Sequence, residues 1–199
     1  MNTIWLLSDW HWRHENVYKF VDAAGIRIRH RFANAAEGDA FIEQGIRDTV
    51  KPSDHLWFLG DACMNRGNHQ VTEFINLWKS LPGHKRIVPG NHDHYRTSVY
   101  ADAGFEKVSG GRLLDGVLMT HYPVHESSLG PRVVGNAHGH THQNPDIGPR
   151  YLNVCVERTG YLPIALEEVK RRFAEKLTRE AASKPASHDV SGNYIGGQP

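Results

Sequence analysis

Cysteine is nearly missing from this chain of 199 residues: Cys63 and Cys155 stand far apart, in neither a C-x-x-C pair nor a multi-cysteine zinc pattern. That excludes a disulfide framework and a thiolate zinc finger, and both residues read as reduced thiols. Long hydrophobic runs are missing too. The opening stretch MNTIWLLSDW has no basic leader, and Ile4 to Leu7 is too short for a signal-peptide core or a membrane span, so the cytoplasm is the expected compartment. Neither sign of charge dominates, with 23 Lys plus Arg against 22 Asp plus Glu, which removes any global electrostatic case for a nucleic-acid or membrane partner. No internal repeat is found.

What is present suits a soluble globular protein, at 39% hydrophobic and 23% charged residues. One domain is expected over 1–182, and 183–199, holding Gly, Pro, Ser and Asn with few apolar anchors, is expected to be a disordered tail. Histidine is the excess: 14 of them, and imidazole is the commonest protein ligand of transition metals.

Apolar runs at Thr3–Leu7, His55–Leu59 and Lys85–Val88 read as strands, each followed by polar residues. Arg132–Ala137 and Tyr151–Val156 read as further strands. Asp115-Gly116 between apolar runs predicts a hairpin with a type I′ turn, its second strand ending at Thr120-His121. Helices are expected over Ala35–Val50, with Asn34 as N-cap, over Val71–Leu81, and from Ile164 to about Ala182. The stretch from Trp10 to Asn34 is read as a loop covering the site, with one helical turn around Glu15 to Ala23.

Chemistry-bearing residues recur where these runs stop: Asp9-Trp10-His11, Gly60-Asp61, Gly90-Asn91-His92-Asp93, His121, and Gly139-His140-Thr141-His142. Residues two apart on a strand share a face, so Asp9 with His11, and His140 with His142, are expected to point together into one cavity. Any one of these is commonplace, but their joint appearance at the carboxyl ends of strands is where α/β sheets build their sites. Hard oxygen donors mixed with imidazole, and no thiolate, suit manganese, iron, zinc or nickel better than calcium.

This series resembles the calcineurin-like metallophosphoesterase superfamily over nearly the whole folded chain. Ser8-Asp9-x-His11-x-x-His14-x-Asn16 and Tyr151-Leu152-Asn153-Val154 are similar to a compact bacterial and phage subgroup of it. The resemblance implies an α/β fold, a four-layer α/β/β/α sandwich of two packed mixed β-sheets flanked by helices. It implies two divalent transition-metal ions, manganese first: Asp9, His11, Asp61 and His142 on one, Asp61, Asn91, His121 and His140 on the other. The implied reaction is hydrolysis of a phosphate ester by metal-activated hydroxide, with His92 protonating or hydrogen-bonding the leaving oxygen. Substrates lean towards phosphodiesters of nucleotides. A phosphomonoesterase, including one acting on phosphoprotein, and a non-catalytic metal-bound scaffold are the alternatives. Neither a membrane nor an obligate protein partner is implied.

The chain departs from the family pattern Gly-Asp-x-x-Asp-Arg-Gly, reading Gly60-Asp61-Ala62-Cys63-Met64-Asn65-Arg66-Gly67. The acid that orients the proton-donating histidine is missing, and the partner of His92 stays open. Arg66 and His14 are candidate substrate contacts, each with a plain surface reading beside it. The run Arg27-Ile28-Arg29-His30-Arg31 reads either as a solvated basic edge or as a contact for a polyanion, and Trp10 and Trp12 as packing aromatics or as base-stacking ones.

Overall fold

The computed structural model describes residues 2–64 and 68–183. Strands β1 (Ile4–Leu7), β2 (His55–Phe58), β3 (His84–Ile87) and β4 (Phe105–Val108) lie parallel, and β9 (Ile164–Ala165) pairs antiparallel with β1, in the order β4-β3-β2-β1-β9. The second sheet, β5-β6-β7-β8, consists of β5 (Arg112–Leu114) antiparallel to β6 (Val117–Thr120), then β7 (Gly135–His138) and β8 (Tyr151–Asn153) parallel to it. Both sheets are mixed and flanked by helices, as expected.

Alternation along the strands builds two cores. Leu7, Leu56, Phe58 and Ile87 face helices α1 (Ala35–Thr49), α2 (Asn68–Ser80) and α3 (Thr97–Asp102), meeting Ile42, Ile46, Phe74, Trp78 and Tyr100. Their neighbours Leu6, Trp57, Leu59 and Val88 point the other way, onto Val117, Met119, Ala137 and Leu152 of the second sheet. Each such large apolar side chain contributes about 1.5–3 kcal/mol on burial, so strands apolar on both faces glue helix to sheet and sheet to sheet. Helix α5 (Leu166–Ser183) closes the second core through Leu166, Val169 and Phe173.

Local signals largely hold. The Asn34 side chain accepts the Glu37 N–H at 3.0 Å and caps α1. Asp115 and Gly116 both take positive φ, 48° and 79°, the type I′ signature. Several boundaries differ. Ile164–Ala165 pair with β1 as β9 instead of opening the last helix, so α5 begins at Leu166. Arg132–Val134 turn instead of extending, the Val134 N–H being taken by Gly116 and the Val133 carbonyl by Arg150, so β7 begins at Gly135. Tyr151–Val156 divides, because Cys155 caps a short helix α4 (Val156–Thr159). The turn in the Trp10–Asn34 segment is a 3-10 helix over Glu15–Tyr18 only.

Strand β4 and helix α3 are additional elements, and their short apolar patterns give little warning of them. Of the expected tail, Ser183 is the last residue of α5, and 184–199 lie outside the described residues, as does Arg66. Among the described residues no helix is long and apolar enough to cross a membrane.

Candidate metal centre

Every candidate ligand follows the carboxyl end of a parallel strand. Asp9 and His11 follow β1, Asp61 follows β2, Asn91 and His92 follow β3, His121 follows β6, and His140 and His142 follow β7. Hydrogen bonds stitch the loops together: Asp9 N–H to Gly60 O at 2.9 Å, His11 N–H to Asp61 O at 2.9 Å, and Gly139 N–H to His121 O at 2.9 Å.

The pairs two residues apart do meet, but not as strand neighbours. Asp9, His11, Asp61, His140 and His142 all sit at left-handed φ, between 48° and 69°. Non-glycine residues there cost on the order of 1–2 kcal/mol each. The loops, held by the hydrogen bonds above, aim these side chains by turning the backbone, which corrects the alternating-face expectation. The glycines beside them allow the close packing: a Cβ on Gly90 would lie 2.2 Å from Asp61 Oδ1, and one on Gly139 2.0 Å from Ser8 Oγ.

Two clusters result. Ligand atoms of Asp9, His11 and His142 all lie within 4.8 Å of one another, as do those of Asp61, His121 and His140. Asn91 joins the second, its Oδ1 3.0 Å from His121 Nε2. Between them stands Asp61 Oδ2, 3.6 Å from His11 Nε2 and 3.5 Å from His121 Nε2. His140 touches both clusters, since its imidazole belongs to the second while its N–H donates to Asp9 Oδ2 at 2.9 Å.

The donor set fits cations. Asp9 Oδ1 and both His11 ring nitrogens are buried without a hydrogen-bond partner, with Oδ1 3.9 Å from His11 Nε2. Leaving such groups unmatched costs about 1–3 kcal/mol each, more if charged, unless something else meets them. His121 Nδ1 lies 2.8 Å from the Leu59 carbonyl, so its proton belongs there and Nε2 presents a lone pair towards Asn91 Oδ1 and Asp61 Oδ2. Acceptors converging on one point call for a positive charge. Burial, then the neighbouring His142 and Arg29, holds the His11 pKa well below the ordinary imidazole value, which keeps the ring neutral as a ligand must be.

A supporting shell fixes the candidate ligands, and most of it escapes the sequence reading. Asp9 Oδ2 accepts from Ser8 Oγ at 2.5 Å and from the Cys155 thiol at 3.1 Å, leaving Oδ1 free. Burial pushes that thiol well up. The Asp93 carboxylate accepts the N–H groups of Asp61 (2.6 Å), Ala62 (3.0 Å) and Gly90 (2.8 Å), tying the second strand loop to the third. Burial pushes Asp93 up to about 7.

Glu157 accepts from His142 Nδ1 at 3.0 Å and from Arg29 Nε at 2.8 Å. Arg29 itself is fully buried and also donates to the carbonyls of Asp9 (2.7 Å) and Trp10 (2.9 Å), so neither reading of the Arg27–Arg31 run describes it. Burial opposes charge on His142, yet the hydrogen bond and charge of Glu157 outweigh it and raise the imidazole pKa. Trp10 and Trp12 are buried packing residues, Trp10 edge-on to Trp78 at 5.8 Å.

His92 and His14 flank the first cluster, their rings 5.4 Å and 5.9 Å from that of His11. The His92 backbone N–H donates to Asp61 Oδ1 at 2.9 Å, and its Nε2 is 4.0 Å from Asp61 Oδ2 with the side chain about 34% exposed. No other carboxylate among the described residues forms an ion pair with it.

No protein-family model matches the chain. The uncharacterized protein MJ1445 of Methanocaldococcus jannaschii is 27% identical over 177 residues, 84% of this chain and 89% of that protein. The crystal structure of a protein of unknown function from Aquifex aeolicus, AQ665, superposes with a TM-score of 0.65 over 86% of this chain and 99% of that one, at 22% identity, and shares the fold. A looser likeness, TM-score 0.44 at 16% identity over 70% of this chain and 61% of the other, is to the Pseudomonas putida nuclease MPE, too distant to bear on function.

Proposed function

We propose that the chain is a dinuclear metal-dependent phosphoesterase of the calcineurin-like superfamily, hydrolysing phosphodiesters of nucleotides. The observation that carries this reading is the place of Asp61 Oδ2, within 3.6 Å of an imidazole nitrogen from each cluster. Asp9, His11, Asp61 and His142 would hold one divalent ion, and Asp61, Asn91, His121 and His140 the other. Manganese suits this mixed oxygen and imidazole set, with iron, zinc and nickel also compatible. Bound there, such a pair would supply charge neutralisation to a phosphoryl group and would lower the pKa of a coordinated water.

The chain's own residues position and protonate. Asp93 locks the loop that presents Asp61, and Glu157 fixes the His142 ring so that Nε2 faces Asp9. His92, partly exposed beside Asp61, is placed to give a proton to the departing ester oxygen. His14, whose Nδ1 is buried without a partner and whose pKa is lowered chiefly by burial, offers a neutral imidazole to a substrate oxygen. Arg66, outside the described residues, is a further candidate phosphate contact. Among the described residues no cap domain is inserted over the clusters, which favours small or extended diesters.

The test is hydrolysis of bis-p-nitrophenyl phosphate against p-nitrophenyl phosphate by metal-stripped protein given back manganese, nickel or zinc. Diester turnover supports the proposal and a preference for the monoester makes the chain a phosphatase. No turnover with any metal leaves a metal-bound scaffold.

A further inference from the structure

The chain's charges nearly balance, yet they are not evenly spread. Between α5 and the segment leading out of β8 lies an open cavity of about 280 Å³ lined by Arg158, Arg171, Arg172, Lys176 and Arg179, against the acids Asp146 and Glu175. Its floor is Leu152 and Asn153. Part of the positive charge is compensated: Arg171 pairs with Glu168 and Glu175, Arg172 with Glu168, and Lys176 with Asp146. Among the described residues Arg158 and Arg179 form no ion pair, and both are exposed.

The groove adjoins the candidate metal centre. The Asn153 amide donates to the His142 carbonyl at 2.7 Å and to Thr141 Oγ1 at 2.8 Å, so floor and ligand loop are one hydrogen-bonded unit. Arg158 directly follows Glu157, whose carboxylate takes the His142 ring on the inner side. On α5, Arg172, Lys176 and Arg179 recur at i, i+4 and i+7 and therefore share a face. At 1.5 Å per residue they span about 10 Å, a basic edge of the kind along which the backbone of a single strand runs.

We propose that this groove holds the sugar–phosphate backbone of a single-stranded nucleic acid, with Arg158 and Arg179 as its uncompensated phosphate contacts. The inference rests on the phosphodiesterase reading and names its substrate class: a polynucleotide whose flanking phosphates lie in the groove. Contacts to phosphate alone position a strand without reading its sequence, so binding is indifferent to base order and sensitive to salt.

The experiment is fluorescence anisotropy of a labelled single-stranded oligodeoxynucleotide with the full chain in EDTA, titrated over a range of salt, for wild type and for R158A/R179A. Each lost phosphate contact on a single strand removes about 0.7 from the slope of log K against log salt. The double variant is therefore expected to bind several-fold more weakly at low salt, with the slope reduced by about 1.4, while its thermal midpoint stays that of the wild type. An unchanged affinity and slope overturns the groove, and so does a wild type that binds no strand. Hydrolysis of bis-p-nitrophenyl phosphate by the same two proteins keeps the readings apart. Equal turnover beside weakened strand binding supports both, whereas strand binding that depends on the two arginines without ester turnover supports the groove and removes the hydrolase.

Discussion

Arg29 and Glu157, 128 residues apart in sequence, form an ion pair at 2.8 Å with both side chains almost completely buried. Burial alone would raise the Glu157 pKa, but the Arg29 charge and the His142 hydrogen bond hold it down at about 2. The pair therefore does two things at once: it neutralises a buried guanidinium that supports the Asp9 and Trp10 carbonyls, and it fixes the ring of a candidate ligand.

Its removal should show as a pH effect on metal-free protein. The folded value of about 2 lies below the ordinary glutamate value of 4.5, so in that window the unfolded chain binds the proton more readily. The resulting stability is fully present above about pH 4.5 and lost as pH falls through about 2, on the order of 3 kcal/mol in all. Glu157→Gln should remove this contribution and leave Arg29 without its counter-charge, costing about 3–5 kcal/mol near neutral pH. Urea unfolding in EDTA between about pH 2 and pH 7 measures both, and a variant as stable as the wild type at pH 7 contradicts the account.

Asp93→Asn tests the loop that presents Asp61. The three N–H groups now accepted by the carboxylate would meet an amide with one accepting oxygen and an NH2 that can only donate. Displacing support of this kind typically costs 10–100-fold in metal affinity, and competition with a fluorescent chelator for manganese reads it. Affinity equal to the wild type would mean that the loop is held by something else.

His92→Ala should keep its metal content and lose about 10²–10⁴-fold in kcat on an ester with a poor leaving group, with a much smaller loss on a nitrophenyl ester that needs no proton. Metal analysis beside the two rate measurements gives the comparison. Equal losses on both esters would take His92 out of the proton-donor role.

Gly90→Ala places a methyl group 2.2 Å from Asp61 Oδ1 and 2.8 Å from its backbone N. Overpacking against a backbone that cannot yield costs about 1–3 kcal/mol, and here it also displaces the residue between the clusters. Thermal unfolding and manganese titration should fall together, whereas Gly110→Ala, where nothing lies within 4 Å, should change neither.

The sheet order behind these predictions is written in short apolar runs that end abruptly. Ile4–Leu7 and His55–Phe58 pack on both faces because they lie between a helix layer and a second sheet, and Asp9 and Asp61, just beyond the two strands, land at the shared edge. The candidate ligand set is legible for the same reason. Its geometry is not, because left-handed φ at Asp9, His11, Asp61, His140 and His142 is imposed by contacts between distant loops. Glu157 and Arg29 are hidden for a related cause: a charged residue beside other charged residues reads as solvated, and only tertiary pairing across 128 positions buries it. Asp93 stood in view within Gly-Asn-His-Asp, but its role as an acceptor for another strand's loop depends on the parallel pairing of β2 with β3.

The central claim is most directly tested by soaking crystals of the chain in manganese and collecting anomalous diffraction at the metal edge. Two peaks about 4 Å apart, one on each side of the Asp61 carboxylate, are predicted, with Asp9, His11 and His142 around one and Asn91, His121 and His140 around the other. Density for no ion, or for ions bound away from Asp61, would contradict it.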